Sequence, residues 1–514
     1  MVRSLIASML ASLALVGCAG LPTHVQRPVS VALTDSADTP LARIAAASTP
    51  EEQRELSGFR LLVDGDHALN ARIALIRRAQ KTLDVQYYQI ASDAVGLAFL
   101  RELRDAAARG VRVRLLVDDL YAAGQDELFA GLAAQPNVEL RLFNPLPARS
   151  GGFGSRLVFS MHEFKRINHR MHNKLFIADN AFAVAGGRNI ANEYFMRGES
   201  SNFIDADVLA SGPVVRELST VFDGYWNSEQ VYPVQSLAGG NAAESRAFFD
   251  AMVASVERDM PVTSQDRFGR SSVQSQLEHG HLEQSFAAVQ VFADAPAKAS
   301  GVAVDQVTPM SAATSAMRAA RSDLLIVSPY FIPGQSGMSM LQEVTDRQVR
   351  LTVVTNSLGA TDEPLVHWGY AKYRHAMLKM GVAVHEIAAR VAPQSASVSE
   401  YGSSLARLHA KLAVIDQQKL FIGSMNMDAR SARLNTEMVL VIDSAALSAE
   451  VASLLHGEHQ ANTYRLRMAG ADQHIEWVST ADAQEVVQRT EPGCGLATRL
   501  KLATLSAFVD EEML

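Results

Sequence analysis

Cysteine is scarce in this chain: Cys18 and Cys494 are the only two among 514 residues. A fold stapled by several disulfides is therefore excluded. After the N-terminal segment, no run of roughly 18 or more apolar residues occurs, which excludes a transmembrane helix there. An excess of basic residues is also missing. Lys and Arg number 47 against 55 Asp and Glu, and the net charge of −8 argues against a broad nucleic-acid-binding surface.

Apolar residues make up 48% of the chain, enough to fill large cores, so a disordered protein is excluded. Residues 1–17 have the pattern of an export signal, with an apolar stretch that leads into Leu15-Val16-Gly17-Cys18. That tetrapeptide resembles the lipobox of bacterial lipoproteins, which predicts cleavage before Cys18 and lipid attachment to it. An ordinary cleaved signal is the alternative. The lipoprotein interpretation predicts an envelope protein that faces the periplasm, and Ala19 favours the outer membrane.

Strands and helices alternate in two successive stretches of the chain. Residues 83–88 and 111–117 have strand patterns and enclose a helical pattern at 95–108, and strand patterns return at 324–328 and 349–355 with helical spacing between them. Alternating elements predict an α/β fold with largely parallel sheets, and a repeat of this length predicts a duplicated domain. The predicted organisation is a tether at 18–56, a first domain at 57–234, a linker or insertion at 235–300 and a second domain at 301–514.

The same set of polar residues occurs in both halves. Each copy has the pattern His-x-Lys-x4-Asp-x6-Gly-[Gly/Ser]-x-Asn. By composition alone, five fixed positions arise at a given start with odds on the order of 10⁻⁷, so the repeat is not accidental. The residues are His172, Lys174, Asp179, Gly186 and Asn189 in the first copy and His409, Lys411, Asp416, Gly423 and Asn426 in the second.

The spacing places the histidine and lysine of each copy on one face of a strand, because side chains two positions apart point the same way. Each aspartate falls in the following turn, where a mainly structural role is expected, and each asparagine follows the next strand. Displacement at a phosphodiester needs a nucleophile, a proton donor and cationic or hydrogen-bonding groups around the phosphoryl oxygens. Two histidines, two lysines and two asparagines supply all three. A metal site is disfavoured because an ammonium beside each imidazole would repel a cation.

The duplicated motif resembles that of the phospholipase D superfamily over residues 57–514. The resemblance implies a bilobed monomer whose two α/β domains form one active site between them, without a cofactor. It also implies a covalent phosphohistidine, with His172 as the nucleophile by family convention and His409 as the acid and base; the near-symmetry of the motifs cannot decide that order. A carboxylate about 30 residues after each histidine is expected to hold its ring. Glu437 fits that position for His409, and Asp205 or Asp207 for His172.

Within the superfamily, the chain resembles bacterial type C cardiolipin synthases. The segments that carry this resemblance are residues 166–172, 186–195, 328–334, 355–357 and 366–370. Gly187 replaces the serine of the generic motif, as that subgroup tends to do, and Trp368 departs from the subgroup. The resemblance implies a phosphatidyltransferase that acts on phosphatidylglycerol, with phosphatidylethanolamine as a further substrate, and forms cardiolipin; the lipobox adds the expectation of a lipid anchor. The alternatives are hydrolysis, exchange with a small alcohol such as ethanolamine, cleavage of nucleic acid, and lipid binding without catalysis.

A further group of residues is expected to bind substrate: Arg166, Arg170, Arg188, Ser424 and His367. The three arginines lie with Lys165 around the first motif and would attract an anionic headgroup; solvated side chains without a ligand are the alternative. A buried structural role is the alternative for His367.

The Gly-rich residues 151–160 carry four apolar side chains, those of Phe153, Leu157, Val158 and Phe159. Such a segment either dips into a membrane beside the site or packs inward against the domain.

Overall fold

The coordinates are a computed structural model that describes residues 20–302, 305–389, 405–454, 463–481, 484–493, 495 and 504. The predicted signal peptide, Cys18 and Cys494 lie outside these residues. No helix in the described ranges is both long and apolar enough to cross a membrane.

The first half is built on a mixed sheet. The strands of this half are β1 (Ser57–Leu62), β2 (Thr82–Tyr87), β3 (Arg112–Asp118), β4 (Val138–Phe143), β5 (Leu175–Ala178), β6 (Phe182–Gly186), β7 (Ser201–Ile204), β8 (Asp207–Ser211), β9 (Val231–Pro233) and β10 (Ser285–Ala287). Of these, β7 lies outside the sheet. In the described residues the sheet runs β10–β1–β8–β6–β5–β2–β3–β4–β9. The central strands β2, β3 and β4 are parallel. Both faces of β2 are buried, which explains why Asp84 and Gln86 are as inaccessible as Leu83 and Val85.

Helices cover this sheet and continue into the predicted linker. They are α1 (Pro40–Ser48), α2 (Gly65–Arg78), α3 (Ala94–Ala108), α4 (Asp126–Ala133), α5 (Phe153–Phe159), α6 (Phe164–Ile167), α7 (Pro213–Trp226), α8 (Ala242–Ala254) and α9 (Val273–Glu278). The predicted linker at 235–300 is thus partly folded: α8 packs on α4, α9 packs on α2, and β10 extends the first sheet. Its polar composition reflects the exposed faces of these elements.

The second half repeats the plan. Its strands are β11 (Val289–Ala293), β12 (Asp323–Val327), β13 (Arg350–Asn356), β14 (Ala383–Ile387), β15 (Leu405–Leu408), β16 (Leu412–Ile415), β17 (Lys419–Gly423), β18 (Met438–Asp443), β19 (Thr463–Ala469), β20 (His474–Ala481) and β21 (Gln484–Gln488). Its helices are α10 (Pro309–Arg318), α11 (Gly334–Asp346), α12 (Pro364–Ala371), α13 (Arg374–Lys379), α14 (Ala429–Arg433) and α15 (Ala445–Ser453). The second sheet runs β11–β18–β17–β16–β12–β13–β14–β19–β20–β21 in the described residues.

The duplicated α/β fold predicted from the repeat is confirmed, but the prediction of largely parallel sheets is wrong. In the described residues, the two large sheets are parallel only across β2–β3–β4 and β12–β13–β14, and their other neighbouring strands pair antiparallel, because hairpin-like connections such as β5–β6 and β16–β17 add strands beside the parallel core. The strand order β8–β6–β5–β2–β3–β4 in one sheet corresponds to β18–β17–β16–β12–β13–β14 in the other. A shared hydrophobic core packs between the halves and contains, for example, Phe59 and Leu61 of the first sheet with Leu412 and Leu420 of the second.

The described part of the predicted tether lies against the first half. Arg114 and Arg141 are buried and donate to the carbonyl oxygens of Ser30 and Pro28, at 3.0 and 2.5 Å. Further along, Leu41 of α1 is fully buried. These buried guanidinium groups need acceptors, and the carbonyl oxygens of the segment supply them. The polar composition of the segment did not reveal that it packs against the first half.

Candidate active site

The two motifs meet through backbone hydrogen bonds between the halves. The His172 amide donates to the Thr436 carbonyl oxygen (2.9 Å), and the Thr436 amide donates to that of Arg170 (2.9 Å). On the other side, β15 pairs in parallel with β7, and the His409 amide donates to the carbonyl oxygen of Ile204 (2.8 Å). Each histidine is therefore fixed at a strand end against a segment of the opposite half.

These contacts between the halves determine which carboxylate holds which histidine ring. His172 Nδ1 donates to the carboxylate of Glu437, at 3.0 and 3.1 Å, and His409 Nδ1 donates to Asp205 Oδ2 at 2.6 Å. The predicted pairing of Glu437 with His409 and of Asp205 or Asp207 with His172 is wrong, because each carboxylate reaches across to the other half. With Nδ1 engaged, Nε2 of each ring is left to face a substrate.

Asp207 belongs to a separate buried cluster. Its carboxylate accepts from Arg72 (2.8 Å) and from Arg188 (3.3 Å), so it has no part in orienting either histidine.

The two orienting carboxylates have different neighbours. Glu437 accepts from the hydroxyl groups of Ser424 (2.5 Å) and Ser431 (3.0 Å). At the position that corresponds to Ser424, Asp205 faces Gly187, where a Cβ would lie 2.1 Å from Asp205 Oδ1. Instead, Asp205 accepts from the backbone amide of Ala206 at 2.7 Å. Ser424 thus supports Glu437, and the predicted role of Ser424 in binding substrate is not supported.

The lysines and asparagines flank the imidazoles. Lys174 Nζ donates to the carbonyl oxygen of His172 at 2.6 Å, and Lys411 Nζ does the same to His409. The side-chain oxygens of Asn189 and Asn426 are buried without a hydrogen-bond partner in the described residues. A buried amide oxygen without a donor is costly unless a ligand supplies one, so both oxygens are suited to accept from a substrate hydroxyl group rather than to bind phosphoryl oxygens.

Burial sets the ionisation of the site. Burial and, to a smaller extent, Lys174 lower the pKa of His172 to about 4, against the opposing effect of Glu437. The pKa of His409 is lowered as well, by burial and by Lys411. The lowered pKa values favour neutral imidazoles at neutral pH.

The pKa values of the carboxylates and lysines around the histidines are shifted as well. Burial alone would raise the pKa of Asp205, but its interaction with His409 brings it to about 2. Burial also lowers the pKa of Lys411 to about 8 and that of Lys174 below its usual range. Two lysines and two carboxylates therefore share the site, and the negative charge of a phosphodiester would favour the ammonium forms of both lysines.

Further groups that support the histidines were not predicted from the sequence. Tyr88 contacts His172 edge-on, with ring centroids 5.1 Å apart, and Tyr194 contacts His409 in the same way at 5.1 Å. At the ends of β3 and β13, Asp118 accepts from the Met171 amide (2.9 Å) and Asn356 accepts from the Leu408 amide (2.8 Å). The two strand-end positions correspond in the duplicated fold, a signal that an alignment of the two halves could have provided.

The motif aspartates do not join the catalytic cavity. The Asp179 carboxylate accepts from the backbone amides of residues 80, 81 and 82 where β2 begins, and Asp416 accepts from those of residues 321, 322 and 323 where β12 begins. Both occupy the left-handed region, with φ of 49° and 52°. Their contacts support the structural role expected from the sequence.

Three of the residues expected to bind substrate have protein partners instead. Arg170 is buried and pairs with Asp118 (2.5 Å). Arg188 is buried and donates to carbonyl oxygens including those of Leu62 (2.7 Å) and Tyr194 (3.1 Å). Arg166 is partly exposed and pairs with Glu163 at 2.5 Å. These arginines hold the polypeptide around the motif, so the expected headgroup contacts are not supported.

His367 lies on α12 and is also engaged. Its Nδ1 donates to the carbonyl oxygen of Asn356 (3.1 Å), and its Nε2 lies 2.8 Å from Glu491 Oε1. Because Asn356 also holds Leu408, His367 supports the strand end that leads into His409. The structure thus gives His367 a structural role, and the predicted contact of His367 with substrate is not supported.

No group of three or more His, Cys, Asp and Glu side chains in the described ranges is arranged to hold a metal ion.

The duplicated fold and the shared site define the class of protein. A family model described as "Cardiolipin synthase, PLD-like domain" matches residues 73–226 and 313–457. The chain belongs to this family, within the phospholipase D superfamily.

Individual relatives show which members of the family the chain is similar to. The chain is 34% identical over 450 residues to cardiolipin synthase C of Escherichia coli (strain K12), which covers 87% of this chain and 94% of the relative. It is 26% identical over 399 residues to cardiolipin synthase A of Pseudomonas syringae, which covers 77% and 67%. The crystal structure of phosphatidylserine synthase from Haemophilus influenzae has a similar fold, with a TM-score of 0.56, 13% identity and coverage of 91% and 96%.

Proposed function

We propose that this protein is a phosphatidyltransferase that forms cardiolipin through a phosphohistidine. The observation that carries the proposal is the crossed pair of imidazoles, each held at Nδ1 by a buried carboxylate of the opposite half. Family membership and the 34% identity to cardiolipin synthase C of E. coli support the substrate class.

In the first step, His172 is the nucleophile. Glu437 holds the proton on Nδ1, so Nε2 carries the lone pair and attacks the phosphorus of a phospholipid. The bond from phosphorus to the headgroup oxygen breaks, and His409 donates a proton to that oxygen. The negative charge of the bound phosphodiester favours the protonated form of His409. Lys174 and Lys411 offset the charge on the phosphoryl oxygens.

In the second step, a hydroxyl group of phosphatidylglycerol is the acceptor. His409, now neutral, takes the proton from this hydroxyl as its oxygen attacks the phosphorus. The phosphorus–Nε2 bond breaks, cardiolipin forms, and both imidazoles return to their starting states. The chemistry needs no cofactor.

Vesicles of phosphatidylglycerol and phosphatidylethanolamine, analysed by mass spectrometry, test the reaction. The full chain is expected to produce cardiolipin, and His172→Ala and His409→Ala are expected to lose about 10²–10⁴-fold or more of that rate. Formation of phosphatidic acid alone by the full chain would contradict the transferase and favour hydrolysis.

A donor labelled in its phosphate tests the order of the two histidines. His409→Ala is expected to retain label on the protein when a donor with an activated leaving group is used, because the nucleophile is intact while the base for the second step is absent. His172→Ala is expected to retain none. The reverse pattern would exchange the two roles.

The proposal places the enzyme in the bacterial envelope, anchored by lipid at Cys18 and facing the periplasm, with the outer membrane as its location. The lipobox-like residues that precede Cys18 support it. Mass spectrometry of the mature protein is expected to show a diacylated Cys18 at the N-terminus, and a mature chain with an unmodified Cys18 would contradict the anchor.

A further inference from the structure

Helix α5 has its polar and apolar sides reversed relative to an ordinary surface helix. Arg156 is only 3% exposed, and its guanidinium pairs with Asp126 beneath the helix. Ser160, at the helix end, is fully buried and accepts from the Ala148 amide. Val158 and Phe159 instead face outward, 66% and 49% exposed. Buried Arg156 and Ser160 therefore hold the helix in place, while its apolar side chains are exposed at the surface.

The neighbouring residues extend this surface. We call it the apolar patch; it consists of Tyr121, Phe153, Val158, Phe159, Met161 and Phe164, all exposed. Clustered exposed apolar groups of this kind mark an interaction site, because burying them is favourable by roughly 25 cal/mol per Å².

Aromatic contacts connect the apolar patch to the catalytic cavity. The Phe153 ring stacks on Tyr121 with centroids 5.9 Å apart, Tyr121 meets Tyr88 edge-on at 5.3 Å, and Tyr88 meets His172 at 5.1 Å. The patch is therefore continuous with the wall of the cavity that holds the proposed nucleophile.

We propose that the apolar patch inserts into the boundary between headgroups and acyl chains of a phospholipid bilayer. A lipid surface is favoured over a protein partner because the patch adjoins a phosphodiester-handling cavity and carries aromatic rings, which suit that boundary. Exposed Lys165 flanks the patch and complements anionic headgroups. This inference deepens the proposed function, on which it rests: with the patch inserted, a lipid headgroup needs to rise only a short way to reach His172.

Fluorescence of a tryptophan in the patch tests the insertion directly. Phe159→Trp would be placed in the full chain and reconstituted in phosphatidylglycerol and phosphatidylethanolamine vesicles with brominated acyl chains, and the emission of the parent protein would be subtracted. We expect a blue shift and strong bromine quenching. Val487→Trp, at an exposed apolar position of β21, is the matched control and is expected to show neither.

Activity supplies a second readout. The variant Val158→Asp/Phe159→Asp is expected to lose at least about tenfold in turnover on vesicles and to keep its rate on a short-chain phospholipid below the critical micelle concentration. The control Val486→Asp/Val487→Asp, which places the same charges on β21, is expected to behave like the parent on both substrates.

The outcomes separate this inference from the proposed function. Cardiolipin formation without quenching of Phe159→Trp would overturn the insertion and leave the enzyme intact. Quenching without any lipid conversion would support the insertion and contradict the enzyme. A parent dimer that the double aspartate variant dissociates, with no quenching in vesicles, would show that a second copy covers the patch and would also overturn the inference.

Discussion

Gly187 and Ser424 occupy the same motif position but face carboxylates of different length. The Ser424 hydroxyl donates to Glu437, whereas any Cβ at Gly187 would lie 2.1 Å from Asp205 Oδ1. Gly187→Ser is therefore expected to displace Asp205 from His409 and to lower kcat by at least about tenfold, or 1.4 kcal/mol. Steady-state kinetics on vesicles measure this loss. Ser424→Gly, which removes a donor without a clash, is the control and should lose less.

The raised acidity of Lys411 predicts an alkaline limit to activity. Its pKa is lowered to about 8 by burial, so its ammonium is lost as the pH rises through 8, well before that of a free lysine. A neutral amine cannot offset the phosphoryl charge, and kcat/KM is expected to fall above pH 8. In Lys411→Arg the charge persists, so the decline should move to higher pH whatever the absolute rate. An unchanged profile in that variant would assign the decline to another group.

At the scale of elements, the motif aspartates join a turn to the start of a central strand. Asp179 accepts three successive amides where β2 begins. Asp179→Asn keeps a side chain that tolerates positive φ but loses the charge. The expected result is a loss of about 1.5–3 kcal/mol in the free energy of unfolding with kcat of the folded protein within about twofold of the parent. Denaturant titration and active-site-normalised kinetics measure the two effects; a large loss of kcat at full stability would give Asp179 a catalytic role.

Local sequence patterns predicted the strands and turns that carry the site. The features that they could not predict depend on contacts between residues far apart in the sequence. The strand period predicted that His172 and Lys174 share a strand face, although both residues precede β5 in the structure, and the turn pattern placed Asp179 away from the cavity. Sequence separation could not show that Glu437 crosses to His172, because that depends on which strand ends meet between the halves. Nor could charge alone reveal that Arg170 and Arg188 are buried among protein acceptors, since clustered arginines look the same in sequence whether they bind a headgroup or a carboxylate.

At the scale of the whole molecule, the site exists only where the halves are joined. The carboxylate that holds each histidine comes from the other half, and β7 pairs with β15 across the boundary. The hydrophobic core between the sheets also takes residues from both halves. Neither half can therefore loosen without exposing the surface of the other, and coupling of this kind makes unfolding cooperative.

Calorimetry of the intact chain should accordingly show one unfolding transition, although the protein has two sheets. Leu103→Ala removes a fully buried side chain from a core confined to the first half, and Leu341→Ala does so in a core confined to the second. Each costs about 2–5 kcal/mol, and because the halves unfold together, each should lower the Tm of the same single transition. Two transitions, of which Leu103→Ala shifts one and Leu341→Ala the other, would show that the halves unfold independently and that the crossed carboxylates join the site without stabilising the boundary.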